Sequence, residues 1–355
     1  GAGNLIADPL FVGGSDFSLQ SGSPAIDAGD ISHLPTDDFD IDEDGNIAEN
    51  LPDDIAGNER LESGTPDMGA YEALPHTPVK LRVNDTATGN NDGTTWEDAF
   101  TDLQSALAIA LDGDEIWVAE GTYYPTSGAD RTISFNIPSE VELYGGFPES
   151  STGVGSFADR DGSSTVLSGD IGVLADNSDN SYHILTINGV SDITLDGFTF
   201  KAGQADGAIS ISQKNGAAID MLNAYNVLIT DCVFEDNEAE LEGGAIYIVN
   251  SPDVRLINCD FNANSSAGLG TPQGGGAIKV QGASTDLTIE NSNFKSNTSA
   301  GRGGAIYSTA TTFINDCYFS SNTADFGGAI YARKAINITS SSFIGTLADP
   351  NNPAS

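Results

Sequence analysis

Alternate carboxylates stand at Asp40, Asp42 and Asp44 in the run Asp40-Ile41-Asp42-Glu43-Asp44-Gly45-Asn46. That pattern converges oxygen ligands on a hard cation, with glycine permitting the sharp turn between them. The glutamate usual at the twelfth position of such a loop is Leu51 here, so Glu49, Asp53 or Asp54 has to stand in. Two readings follow: a Ca2+ site built from Asp40, Asp42, Asp44, Asn46 and Glu49, or a solvated acidic loop. Asn84-Asp85 with Asn90-Asn91-Asp92-Gly93 is a weaker candidate, since Asn-Asp-Gly is ordinary turn chemistry.

The elements that must position any such chemistry come from a repeat. Six copies of one pattern run through residues 193–343: an aliphatic pair two apart, a slip of three, then an aromatic. The last position is filled by Phe200, Phe234, Phe261, Phe294, Phe319 and Phe343, at spacings of 34, 27, 33, 25 and 24 residues. Period-two alternation marks a strand with one buried face, and the slip marks a corner. A unit this short cannot bury its apolar face alone, so successive copies must stack as coils of a solenoid, each strand parallel to its equivalents about 4.8 Å above and below. The phenylalanines then form an internal column. Asn237, Asn264, Asn297 and Asn322, each three residues after its phenylalanine, form an amide ladder. Gly243, Gly275, Gly303 and Gly327 open the next strand at a tight corner. The predicted fold class is all-β: a right-handed parallel β-helix with an amphipathic capping helix over 96–111 and a separate small β/loop segment at the chain start.

Stacking bears on catalysis. Hydrolysis of a glycosidic bond needs two carboxylates about 5 to 9.5 Å apart. The best outward column is Asp231, Asn258, Asn291, Asp316 and Ser340, in which the two aspartates lie three coils, roughly 14 Å, apart. Arg255, Lys279, Lys295 and Arg302 are scattered along the sequence rather than grouped for an acidic sugar. His33 and His76 fall in loop and linker, and His183 heads a strand as a structural histidine. The expectation is that the chain is not an enzyme. Cys232, Cys259 and Cys317 share one inward column, as buried thiols or with a Cys232–Cys259 disulfide.

The Cys-x-Phe-x-x-Asn and Gly-Gly-Ala-Ile-Tyr units resemble the right-handed parallel β-helix repeats of bacterial polymorphic outer-membrane and adhesin-type surface proteins, over about 83–345. Val83-Asn84-Asp85, Ile116-Trp117-Val118-Ala119-Glu120-Gly121 and Leu143-Tyr144-Gly145-Gly146-Phe147 resemble the opening of such helices in large secreted Bacteroidetes-like proteins. Residues 1–75, with Asp8-Pro9-Leu10-Phe11-Val12, Ser23-Pro24-Ala25-Ile26-Asp27 and Asp67-Met68-Gly69-Ala70-Tyr71, resemble the segment that closes such helices, here standing first. Residues 76–82 read as a linker and 83–355 as the β-helix. The order fits either a shifted window on a tandem array or the cap of a preceding domain. The resemblance implies an extracellular or cell-surface structural and adhesive protein, with surface glycans as an alternative ligand. It also implies head-to-tail joining of copies, or of adjacent repeats of a larger chain. Leu5, Ile6, Leu10, Phe11, Val12 and Ile26 would meet the open coil end at Ile338 and Phe343.

Composition agrees with such a setting. With 13 lysines and arginines against 52 aspartates and glutamates, the formal charge is −39, which disfavours nucleic acid as a partner. No run of 18 apolar residues suggests membrane insertion. If calcium orders the acidic loop, calorimetry should show heat on Ca2+ addition and chelation should raise protease sensitivity over residues 36–60. Asp42→Asn/Asp44→Asn should abolish both effects, and a silent titration contradicts the site.

Overall fold

The computed structural model describes residues 8–13, 16–19, 23–34, 54, 65–69, 71–72, 76–207, 212–268, 273–282 and 285–348. The chain divides into two compact units, Gly1–Thr77 and Pro78–Ser355. In the first, Phe11–Gly13 pairs antiparallel with Asp16–Leu19. Its buried carboxylates hold backbone amides: Asp67 accepts from Asp27 N at 2.7 Å, Glu72 from Asp67 N at 3.0 Å and Asp54 from Glu72 N at 2.7 Å.

The second unit is a parallel β-helix of four sheets. One coil shows the plan. Tyr225–Thr230 lies in the first sheet, Val233–Glu235 in the second, the two-residue Glu238–Ala239 in the third and Ile246–Val249 in the fourth, before Val254–Ile257 returns to the first. Among the described residues these sheets hold nine, eight, six and seven strands. The register is in phase, so Phe200, Phe234, Phe261, Phe294, Phe319 and Phe343 are successive partners. Their rings stack at 4.7–4.9 Å with interplanar angles of 1–6°. Beside them Asn237 Nδ2 donates to Asn264 Oδ1 at 3.0 Å, Asn264 to Asn297 at 3.1 Å and Asn297 to Asn322 at 3.0 Å. Each amide also donates to a phenylalanine carbonyl of an earlier coil, as Asn264 does to Phe234 O at 2.9 Å. These buried amides therefore stay fully engaged where an unpaired polar group would be costly.

The corners explain residue types that looked available for chemistry. Asp231, Asn258, Asn291, Asp316 and Ser340 all have φ of 49–54°, with Gly197 at the same place one coil earlier. Aspartate and asparagine tolerate this left-handed conformation better than other side chains, so the outward column turns the chain between the first and second sheets. At the corner between the third and fourth sheets Gly275 has φ +81°, while a Cβ on Gly276 would come within 2.1 Å of Gly304 O. The paired glycines thus serve different needs, one a positive φ and one the close approach of coils.

One expectation changes, and one open alternative is decided. The helix covers only Leu103–Leu107, capped by Asp102, whose carboxylate accepts from Ser105 N at 2.8 Å. The segment before it pairs with the first strand instead: Phe100 N donates to Arg82 O at 2.9 Å and Asn84 N to Phe100 O at 2.8 Å. The open backbone edge of Lys80–Val83 claims residues that their apolar spacing alone makes helical. Cys232, Cys259 and Cys317 are buried free thiols, which settles the disulfide alternative; burial pushes Cys232 well up and Cys259 up to about 12.

Phe261→Ala or Phe294→Ala should cost about 3–5 kcal/mol in equilibrium unfolding, as for truncation of a buried aromatic. A loss under about 1 kcal/mol for both would contradict a column that organises the core.

Candidate functional site

The fourth sheet carries a second in-phase row on the side away from the phenylalanines. Thr186, Asp220, Tyr247, Lys279, Tyr307 and Tyr331 are successive register partners, each directly after the residue that turns into the core. The turn segments leading into these strands add Glu242 and Gln273, and the end of the third-sheet strand Thr298–Arg302 adds Arg302. Lys279 is only 2% exposed: its Nζ lies 3.1 Å from Glu242 Oε1 and 3.3 Å from the centroid of the Tyr307 ring. Arg302 sits 4.9 Å from the Tyr331 ring, and Gln281 Nε2 donates to Tyr247 Oη at 2.6 Å. Burial pushes Glu242 up and Lys279 down, each against the pull of the other, so desolvation outweighs their attraction and moves both toward neutrality.

Two cavities flank the row. One, of about 430 Å³, is lined by Asn136, His183, Thr186, Asn188 and Asp220 among others. The other, of about 540 Å³, is lined by Glu242, Gln273, Lys279, Gln281, Tyr307, Thr309, Arg333 and Lys334. Asp220 is 6% exposed, its Oδ1 finds no hydrogen-bond partner among the described residues, and burial alone pushes its carboxyl up to about 7. A carboxyl half-protonated near neutrality in a cleft is suited to proton transfer. His183 Nδ1 donates to Gly216 O at 3.0 Å, which fixes the ring.

The sequence-derived candidates are distributed differently. Asp40, Asp42, Asp44, Asn46, Glu49, Leu5 and Ile6 lie outside the described residues. Asp54 is engaged with Glu72 N. Leu10 and Phe11 are exposed, Ile26 is half-buried and Val12 belongs to the strand Phe11–Gly13. Ile338 and Phe343 are exposed at the last coil, Phe343 by 41%. The reading of scattered cations needs correction. Arg255 and Lys295 are exposed on the first and second sheets, but Lys279 and Arg302 meet at the fourth, with Arg333 near enough to depress Lys279 further. Lys279 and Arg302, 23 residues apart in sequence, become neighbours because each coil returns to the same face. The missed signal is the position after Ala-Ile in the glycine motif, which reads Asp220, Tyr247, Lys279, Tyr307 and Tyr331.

The strands, corners and ladders agree with the family model described as a right handed beta helix region, which matches residues 163–345. The chain belongs to this right-handed β-helix family. Among curated proteins no sequence match was found. Among solved structures the chain is similar to a rhamnogalacturonan lyase at 12% identity and a TM-score of 0.47, covering 73% of this chain and 65% of that one. It is similar to the pectin methylesterase from Aspergillus niger at 15% identity, 78% and 89% coverage and a TM-score of 0.38. A pectate lyase aligns at 12% identity, 78% and 82% coverage and a TM-score of 0.31. The chain thus spans just under two thirds of the length of the rhamnogalacturonan lyase. At such identities the likeness is one of fold. These neighbours are named as enzymes, which corrects the expectation that the chain is not one: its architecture is shared with lyases and an esterase.

Asp220 generates a pH dependence. An aspartate titrates near 3.9 in an unfolded chain but at about 7 here, so between those values the folded state holds the extra proton. Stability should therefore fall as pH rises from about 4 to about 7, by on the order of 4 kcal/mol at most, and stay reduced above. Asp220→Asn should flatten the profile and melt higher than wild type at about pH 8. Parallel profiles for the two proteins would contradict the raised carboxyl.

Proposed function

We propose that this β-helix is an extracellular surface protein that binds saccharide along the outer face of its fourth sheet. The observation that supports the reading is the row of Asp220, Tyr247, Lys279, Tyr307 and Tyr331 at one-coil spacing, flanked by two cavities. A linear saccharide offers apolar ring faces and hydroxyls at a regular repeat. Tyrosines supply rigid contact area with a polar tip, and the amides and carboxyl between them supply hydrogen bonds. Likeness in fold to enzymes named for pectic polysaccharides is compatible with this ligand class but does not carry the argument.

A glycan array followed by calorimetry tests it. Tyr247→Ala should weaken binding at least tenfold without lowering the melting temperature, whereas Tyr225→Ala, exposed on the first sheet, should leave it unchanged. Loss in Tyr225→Ala alone, or binding to no saccharide, contradicts the reading. Release of reducing ends or unsaturated products from the bound saccharide, lost in Asp220→Asn, assigns turnover to the face; binding without product assigns recognition.

The exposed end of the core supports a second reading. Ile338, Phe343, Ile344 and Leu347 are all exposed at the last described coil, whose outer edge has no strand partner among the described residues. We propose that this end stacks on the end of another copy, a heterologous contact that propagates into a filament. Sedimentation should show linear oligomers that Ile344→Lys/Leu347→Lys abolishes; a monomer at high concentration contradicts it.

A further inference from the structure

We infer that the cavity at the Lys279 end of the fourth sheet takes the carboxylate or sulfate group of an acidic sugar, next to a neutral sugar at the Asp220 end. This rests on the saccharide-binding reading and names the ligand class. The chain has only 13 lysines and arginines, yet four of them, Lys279, Arg302, Arg333 and Lys334, gather in this one region. Elsewhere four cations are each paired with a carboxylate, Lys80 with Glu115, Arg131 with Asp206, Arg160 with Asp196 and Lys214 with Glu240, while Arg82, Lys201, Arg255 and Lys295 form no ion pair among the described residues. Here the single partner is Glu242, bound to Lys279, and among the described residues Arg302, Arg333 and Lys334 form no ion pair.

Unused donors point the same way. Among the described residues Nε and Nη1 of Arg302 and Oη of Tyr307 are buried without a hydrogen-bond partner; Tyr307 lines the cavity, and Arg302 lies beside it with its guanidinium 6.0 Å from the Tyr307 ring. Buried donors left unmade are costly, and an anion with several oxygens is the acceptor they lack. In a protein of net charge −39 such a cluster is not explained by surplus cation. The bulk negative field does not forbid the ligand, because at physiological salt it is screened over about 8 Å whereas the local excess acts at contact. That same field disfavours a ligand charged at every residue. Asp220 stands two coils from Lys279, roughly 10 Å at the strand spacing, so an acidic group at one end and a neutral sugar at the other fix the direction in which the saccharide lies.

The test titrates the intact chain with glucuronate, glucose 6-sulfate, glucose and inorganic sulfate, following arginine Nε–H and tyrosine resonances by NMR. Both acidic sugars should bind at least tenfold more tightly than glucose, with a preference that shrinks as salt rises. Whichever of the two binds more tightly identifies the acidic group. The exposed double variant Arg333→Gln/Lys334→Gln should lose the preference at an unchanged melting temperature, while Lys295→Gln on the second sheet should keep it. Equal affinity for glucose and glucuronate, or an undiminished preference in the double variant, overturns the anionic pocket and leaves the saccharide face standing. Inorganic sulfate bound as tightly as glucose 6-sulfate also overturns it, reducing the cavity to an ion site. Acidic sugars bound at Arg333 by a chain that engages no longer saccharide would instead overturn the wider reading and keep the pocket.

Discussion

Parallel, in-phase stacking is the constraint on which everything else here depends. Because each strand lies one coil above its equivalent, every residue meets a neighbour in the same position of the repeat, and any group that cannot tolerate its own kind is excluded from the interior. Phenylalanine rings tolerate it by stacking nearly parallel at 4.7–4.9 Å. Asparagine tolerates it because its amide both donates and accepts, so a column of asparagines closes its own hydrogen bonds. Charged groups have no such solution. They are driven outward, where a row of like charges would repel, and the outer row accordingly mixes acid, phenol and amine.

That mixture separates the two faces of the fourth sheet. Its inner residues are interchangeable aliphatics, whereas its outer residues change type from Asp220 through Tyr247 and Lys279 to Tyr307 while keeping their place in the backbone. Regular placement with irregular chemistry is what recognition of an extended ligand requires, since spacing supplies the register and side-chain identity supplies selectivity. Desolvation then moves Asp220, Glu242 and Lys279 toward their neutral forms. Burial cost is thereby concentrated on the face read as functional, while the corner aspartates of the repeat, such as Asp231 and Asp316, turn the chain and stay exposed.

The core was legible because it repeats: Phe261, Asn264 and Gly275 each recur at the same offset, and offset translates directly into stacking. The corner column was visible as an outward row and was set aside for catalysis, but its own role was not legible. Asp231 and Asn258 share a left-handed φ rather than a ligand, and one-letter alternation of aspartate with asparagine does not distinguish these roles. The outer row was hidden for the opposite reason, because Asp220, Tyr247 and Lys279 have no residue type in common, so only their shared position after Ala-Ile joins them. The helix was overextended because apolar spacing over 96–111 carries no information about the backbone edge that Phe100 completes.

The central claim is that ligand lies on the outer face of the fourth sheet rather than on either of the other long sheets. Backbone amide chemical-shift mapping of the intact chain with its array-selected saccharide addresses this directly. Perturbations should fall on residues 219–222, 246–249, 278–281 and 306–308, with the first and second sheets unmoved. Perturbations centred on residues 225–230, 254–257 and 286–290 of the first sheet would contradict the account.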